Sequence, residues 1–257
     1  MLDADVSLDL LATEGKLTTE AVSGRLDGTV PFCPGWTGRD LAVHLAGVYR
    51  WVSTVVGERM PEPPSMERRA GLYADPDPSD DQGVHDRLQQ ARSTVVATLR
   101  ATPNDAQVWT IWPAGSPREF WIRRQLHETL VHRVDAQNLG RSEADVHTGA
   151  ELDTALAADG VDEMMVGFSC RYANHLRNPE TVTLAVQSTD IDRAWWCVIG
   201  PDDPSMGRGA PPQAATATVR GKSGELLLWL WNRRRASGLE VSGDPTALEI
   251  WTANAHL

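Results

Sequence analysis

The sequence predicts a two-domain α+β protein, in which an antiparallel four-helix bundle precedes a small α+β domain. Two observations carry this prediction. Up to about residue 175 the apolar residues recur with the spacing of amphipathic helices. After Pro179 the pattern changes to the alternation that is typical of strands, first at 181–187. Because 257 residues are enough for two cores, we assign 1–177 to the bundle and 178–257 to the second domain.

The predicted helices follow from caps and chain breakers as well as from periodicity. The second helix is the clearest, because Thr37 and Asp40 form a capping-box start directly after a segment rich in proline and glycine. Between the helices we expect a Pro- and Asp-rich loop at 60–82 and an irregular segment at 104–116. The predicted helices span about 3–26, 38–58, 83–101, 117–139 and 149–176.

The C-terminal region alternates β-prone runs with two helical segments. A turn rich in proline and glycine is predicted at 200–212, and Ser223 is expected to begin the first helix. The predicted strands span 181–187, 193–199, 213–220 and 239–241, and the predicted helices span 224–235 and 245–254.

Composition and charge narrow the classes of function. The formal net charge is −11, and the longest basic run is Arg233–Arg235, so nucleic acid is not an expected partner. No apolar run approaches the roughly 20 residues of a membrane span, and the acidic N-terminus does not resemble a signal peptide. Cys33, Cys170 and Cys197 lie far apart without a CxxC motif, which fits a reducing cytoplasm. We therefore expect a cytoplasmic protein.

The segment Phe120–Ala136 contains the residues most indicative of chemistry. Its His127, Glu128 and His132 resemble a metalloprotease HExxH motif, but that motif requires its second histidine at position 131. On a helix His127 and His132 lie about 140° apart, so they cannot share one ion. Glu128 and His132 are about 40° apart and share a face, where they are able to supply two ligands to a zinc ion.

A third metal ligand has to come from another helix. His44 is the histidine on the apolar face of the second helix, where a buried imidazole needs a polar partner. The spacing alone also fits a solvent-exposed Glu/His pair and a hydrogen-bonded core histidine. Arg133 and Asp135 either support His132 or are exposed polar residues, and their spacing does not decide between these roles.

Two motifs resemble the signatures of the mycothiol-dependent maleylpyruvate isomerase family. They are CPGWTGRDLAVHLAG at 33–47 and FWIRRQLHETLVHRVDA at 120–136. In addition, GELLLWLWNRR at 224–234 and LEVSGDPTAL at 239–248 resemble the family's C-terminal domain, which is similar to sterol-carrier folds. The resemblance covers nearly the whole chain, and it implies a helical metal-binding domain of the larger group named after DinB.

The resemblance also implies ligands and cofactors. In the family, residues that match His44, Glu128 and His132 bind zinc, and mycothiol is the thiol cofactor. The family pattern further implies an arginine in the C-terminal domain that faces the active site, for which Arg233 and Arg234 are the candidates. A basic helix end that is favoured by the helix dipole explains these arginines equally well. The expected partners are a small electrophilic substrate and a low-molecular-weight thiol.

These observations predict a zinc- and mycothiol-dependent enzyme that catalyses cis-trans isomerisation, with zinc replaceable by another divalent metal. Three protein ligands would leave an open position on the metal, as in catalytic sites. We interpret Cys33, in a proline-flanked turn, as structural. Three alternatives stay open: a mycothiol S-transferase, a zinc hydrolase that activates water, and a non-catalytic metal-binding protein.

Overall fold

The structure is a computed structural model that describes residues 2–75, 77, 79–147, 149, 151–168 and 175–255. It divides the chain into two compact units, one formed by residues 2–146 and the other by the chain from His147 onward. No helix among the described residues combines the length and the apolar composition that are needed to cross a membrane.

The N-terminal unit is the predicted four-helix bundle. Helix α1 packs against α4 and α5, and α2 packs against α4 and α5 as well. Helix α2 begins at the predicted capping box, in which Thr37 and Asp40 satisfy each other's backbone N–H groups. The helices of this unit are α1 (Ala4–Val22), α2 (Gly38–Gly57), α3 (Met66–Tyr73), α4 (Asp81–Ala101) and α5 (Pro117–Gln137).

Apolar residues one turn apart on α2 fill the centre of the bundle and explain why its periodicity is so clear in the sequence. Trp121 of α5 is fully buried, and its ring lies 5.3 Å from that of Trp51 and 5.9 Å from that of Trp109. The indole N–H of Trp121 donates to the Trp109 carbonyl at 2.8 Å, so Trp109 anchors the irregular segment before α5. The buried residues of the α2 face include Leu41, Leu45, Val48, Val52 and Val55.

Helix α3 corrects the prediction that 60–82 is a loop throughout. Ser65 caps its start by accepting from the Arg68 N–H, which is the reason the helix begins there. None of its residues is fully buried, so it carries no apolar stripe that periodicity could detect. Tertiary contacts hold its end instead, because Arg50 of α2 donates to the carbonyls of Leu72 at 2.7 Å and Ala74 at 3.3 Å.

The C-terminal unit combines a sheet with helices, as predicted. The first helix of this unit is α6 (Thr154–Asp162), which continues into a π-helical turn at Glu163–Gly167. The elements that follow are β1 (Val182–Ser188), β2 (Ala194–Ile199), β3 (Ser205–Arg208), β4 (Ala217–Gly221), α7 (Ser223–Leu230), β5 (Glu240–Gly243) and α8 (Thr246–Asn254).

Strands β1 to β5 form one sheet in the order β3-β2-β1-β4-β5. The central pair β1 and β4 is parallel, and the other neighbours are antiparallel. Strand β3 lies within the segment 200–212, which was predicted as a turn, and pairs with β2 at the edge of the sheet. Helix α7 is shorter than the predicted 224–235, because Asn232 has a positive φ of 58° and the chain turns there.

The division between the units differs from the boundary expected at 177/178. Helix α6 packs against α7 and therefore belongs to the C-terminal unit. The Asp162 carboxylate at the end of α6 accepts from Trp195 Nε1 of β2 at 3.0 Å and from Arg208 of β3. The predicted helix at 149–176 thus corresponds to α6 and the π-helical turn, and residues 169–174 within it lie outside the described part of the chain.

We predict that Asp162→Ala lowers the free energy of unfolding by about 1–3 kcal/mol, because it leaves the buried Trp195 N–H without its carboxylate acceptor. Chemical denaturation of the whole protein measures this change. Asp203→Ala is the matched control, since its ion pair with Arg177 is exposed and such pairs are worth roughly 0–1 kcal/mol. Equal effects of the two substitutions would show that α6 is not held through Asp162.

Candidate metal centre

Three side chains that the sequence predicts as ligands converge in the N-terminal unit. Glu128 and His132 lie one turn apart on α5, and His44 comes from α2, which packs against α5. Glu128 Oε1 lies 3.2 Å from His44 Nε2 and 3.3 Å from His132 Nε2. One potential ligand atom from each residue lies within 4.8 Å of the others. The two helices therefore place a carboxylate and two imidazoles around one point.

The three side chains of this cluster are buried to different degrees. The His132 side chain is 4 % exposed, that of Glu128 15 % and that of His44 28 %. The cluster is therefore more open at His44 than at His132, which is enclosed by the bundle.

The two oxygens of Glu128 have different partners. Oε1 faces the two imidazoles, and Oε2 accepts from Arg124 Nη2 at 2.8 Å. Burial opposes ionisation of this carboxyl, but hydrogen bonds from His132 and His44 and the positive charge of Arg124 hold the pKa of Glu128 well below its usual range. Glu128 is therefore an anion at neutral pH. The role of Arg124 was missed, although the i, i+4 spacing of Arg124 and Glu128 is a signal for such a pair.

His132 is oriented by a second carboxylate. Its Nδ1 donates to Asp135 Oδ2 at 2.8 Å, so its Nε2 is the nitrogen directed to Glu128. Burial alone would lower the pKa of His132, but the hydrogen bonds with Asp135 and Glu128 raise it above the usual value. Asp135 therefore supports His132, whereas Arg133 bonds to Glu14 of α1 and to Gln137.

Aromatic rings flank His44. The Trp36 ring centroid lies 5.1 Å from that of His44, and the Tyr73 ring of α3 lies 6.2 Å from it. Gly47 makes room for Tyr73, because a Cβ at position 47 would lie 2.6 Å from the Tyr73 ring. Burial raises the pKa of Tyr73, although a side-chain hydrogen bond with Arg69 and the positive charge of Arg69 oppose this shift. Trp36 and Tyr73 together form an aromatic wall beside His44. The sequence did not predict the part of this wall that Tyr73 forms, because α3 was predicted as a loop.

The donor set fits a divalent metal ion such as zinc. Two imidazole nitrogens and one carboxylate oxygen are the ligands typical of catalytic zinc sites. A histidine that binds metal usually donates its second N–H to a carboxylate, as His132 does to Asp135. Three electron-pair donors this close together also require a cation among them, which is either a proton or a metal ion. His127 is buried but does not belong to the group, as the helical geometry predicted.

The comparisons with known proteins agree with this geometry. The family model described as the mycothiol maleylpyruvate isomerase (MDMPI) N-terminal domain matches residues 8–137. A second model, described as the MDMPI C-terminal domain, matches residues 155–249. The chain belongs to the mycothiol maleylpyruvate isomerase family. The resemblance that the sequence motifs indicated is thereby confirmed, and the cluster of His44, Glu128 and His132 lies within the N-terminal family domain.

Two solved structures have the same fold. The crystal structure of the mycothiol-dependent maleylpyruvate isomerase matches with a TM-score of 0.64 and 15 % identity, covering 94 % of this chain and 93 % of that one. The structure of a histidine-to-alanine mutant of the isomerase matches with a TM-score of 0.65 and 16 % identity, at the same coverage. Comparison with curated proteins gives no match.

The two arginines that the isomerase family pattern suggested lie in the C-terminal unit, directly after α7. Arg234 Nη1 lies 3.0 Å from Glu225 Oε1, and its side chain is 10 % exposed. Arg233 Nη1 donates to the Trp231 carbonyl at 2.8 Å. Both guanidinium groups therefore have partners within their own unit, and their expected role toward a substrate stays a prediction.

The described cysteines do not join the cluster. Cys197 of β2 is buried, and burial raises the pKa of its thiol to about 12, so it is a poor nucleophile at neutral pH. Cys33 lies half-buried in the turn before α2, which fits the predicted structural role. Cys170 lies outside the described residues.

We predict that the purified protein binds about one zinc ion per chain and that His44→Ala and His132→Ala each lose most of it, because two remaining ligands hold zinc weakly. Elemental analysis after dialysis measures the metal content. His85→Ala is the control, since His85 is a half-buried histidine of the same unit outside the cluster. Full metal retention in both ligand variants would exclude this site.

We predict that zinc affinity falls as the pH falls through the raised pKa of His132, because an imidazole must lose its proton before it binds metal. Competition with a chromophoric chelator between roughly pH 5.5 and 8 measures the affinity. Asp135→Asn removes a carboxylate that raises this pKa, so it should move the acid limb to lower pH. An acid limb at the same pH in both proteins would show that His132 is not the titrating ligand.

Proposed function

We propose that this chain is a zinc- and mycothiol-dependent enzyme of the maleylpyruvate isomerase type, which acts on a small electrophile by cis-trans isomerisation. The observation that carries the proposal is the convergence of His44, Glu128 and His132 inside the N-terminal domain of that family. Two solved structures with this fold are of the mycothiol-dependent maleylpyruvate isomerase and a mutant of it, which supports the same reaction class.

The three residues would hold the metal through His44 Nε2, Glu128 Oε1 and His132 Nε2. A zinc ion supplies Lewis acidity, which lowers the pKa of a thiol that binds it. Arg124 keeps Glu128 Oε2 occupied and so directs Oε1 to the imidazoles. Asp135 fixes the His132 tautomer and orients its ring.

The wall of the site contributes shape and a dry surface. Trp36 and Tyr73 flank the more exposed ligand His44, so they limit the access of water on that side. In a site with less water the charges of Glu128 and its partners act more strongly on a bound thiol or substrate. We propose that the reacting double bond lies beside this aromatic wall.

The nucleophile in this proposal comes from outside the chain. Burial and the raised pKa of Cys197 make it unsuitable, and Cys33 is not among the ligand atoms of the cluster. An added low-molecular-weight thiol is therefore the reactive group, with mycothiol preferred. Arg233 and Arg234 are proposed, from the family pattern, to act on the substrate.

We predict that the zinc-loaded protein converts maleylpyruvate only when mycothiol is added, and that catalytic amounts of thiol suffice because isomerisation returns it. Product formation and thiol consumption are followed together. Thiol consumption in step with product would favour the S-transferase, and full turnover without thiol would favour the hydrolase.

Two sets of variants control this assay. Glu128→Gln should weaken zinc binding and abolish turnover while the helices stay folded, because it removes the anionic ligand. Arg233→Gln and Arg234→Gln should keep zinc, and the arginine that binds substrate should lower kcat/KM by about ten- to a hundredfold. Unchanged rates in both arginine variants would remove them from the mechanism.

A further inference from the structure

Arg69 on α3 carries a positive charge close to the aromatic wall of the metal centre. Its guanidinium carbon lies 4.9 Å from the centroid of the Trp51 ring and 5.6 Å from that of the Tyr73 ring. The Tyr73 ring lies in turn 6.2 Å from the His44 ring. Arg69 is exposed, whereas Trp51 is buried. A surface cation is thus connected to a predicted metal ligand through a single aromatic ring.

Two nearby arginines form ion pairs with carboxylates of the protein. Arg68 pairs with Glu58 at 2.5 Å, and Arg87 pairs with Asp75 at 2.7 Å. By contrast, in the part of the chain that the structure describes, no carboxylate lies within ion-pair distance of Arg69. Its contacts are to the rings of Trp51 and Tyr73 and to the side-chain hydroxyl of Tyr73, and these orient the guanidinium without engaging a carboxylate.

Contacts between α2 and α3 fix the position of the helix that carries Arg69. Arg50 holds the end of α3 through the carbonyls of Leu72 and Ala74. The missing side chain at Gly47 lets Tyr73 approach α2 closely. These contacts fix the helix that carries Arg69. The guanidinium therefore lies beside Tyr73, which flanks His44.

A guanidinium stacked on aromatic rings presents its N–H edge to a planar anion. It is therefore suited to bind a carboxylate through two parallel hydrogen bonds. We propose that Arg69, whose guanidinium lies over the rings of Trp51 and Tyr73, forms a carboxylate-binding subsite for an anionic electrophile at the predicted metal centre. This inference rests on the proposed function for the reaction class, and it assigns recognition of the substrate carboxylate to Arg69, outside the predicted metal ligands.

The test compares maleate with its neutral dimethyl ester, using the zinc-loaded full-length protein. Calorimetry measures maleate binding, and kcat/KM for mycothiol addition is measured on both compounds. Arg69→Gln and Arg69→Met should weaken maleate binding by about ten- to a hundredfold, because both remove the paired donors. Both should leave kcat/KM for the neutral ester within about twofold of the wild-type value and leave zinc content unchanged.

The Met variant separates recognition from packing, since a methionine still covers the Trp51 ring but cannot bind a carboxylate. Arg68→Gln is the matched control on the same helix and should change neither measurement. Maleate binding that is restored in Arg69→Met would overturn the proposal, as would a wild-type protein that does not bind maleate.

The outcome also separates this subsite from the proposed function. If the wild-type protein turns over neither compound with thiol, but maleate binding still depends on Arg69, the proposed reaction fails and the subsite stands. If thiol-dependent turnover of maleate is the same with and without Arg69, the reaction stands and the subsite is wrong.

Discussion

The N-terminal unit depends on how it balances the buried carboxylate of Glu128. A carboxylate out of water is costly unless hydrogen bonds and opposite charges compensate it. Arg124 provides a charge from the same helix, and His44 and His132 provide ring nitrogens from two helices. The same interaction that stabilises the anion therefore joins α2 to α5. Stability and metal chemistry are consequently coupled, since a bound cation would replace the proton that now has to balance this charge.

The arrangement around Glu128 is asymmetric, and this asymmetry prepares the site for one ion. Oε2 is committed to Arg124, so Oε1 is the oxygen left to face both imidazoles. Asp135 commits His132 Nδ1 in the same way and leaves its Nε2 toward Glu128. Glu128 and His132 thus each have one atom held by the protein and another directed to a common point. Such held ligands lose little conformational freedom when a metal binds.

Helical spacing in the sequence indicated which side chains lie close together in the bundle, whereas it did not indicate every element of the fold. His44, Glu128 and His132 were recognisable because helical periodicity fixes which residues share a face. Helix α3 was missed, since a helix without a buried residue leaves no periodic apolar signal. The compact units divide at a different place from the predicted boundary, because α6 has a helical pattern like those of the bundle. Its packing on α7 and the hydrogen bonds of its Asp162 with β2 and β3 place it in the C-terminal unit. Such pairings are long-range and are not contained in local spacing.

The difference between α3 and the bundle helices has a functional consequence. Helices α2 and α5 carry the predicted ligands and bury many of their other residues in the bundle, so few substitutions there are neutral. Helix α3 buries none of its residues fully, and it is held by backbone carbonyls that accept from Arg50. Its side chains are therefore able to change at little cost to stability, although they form the wall beside His44. Substitutions on α3 would therefore alter the wall beside His44 without removing any of the predicted metal ligands.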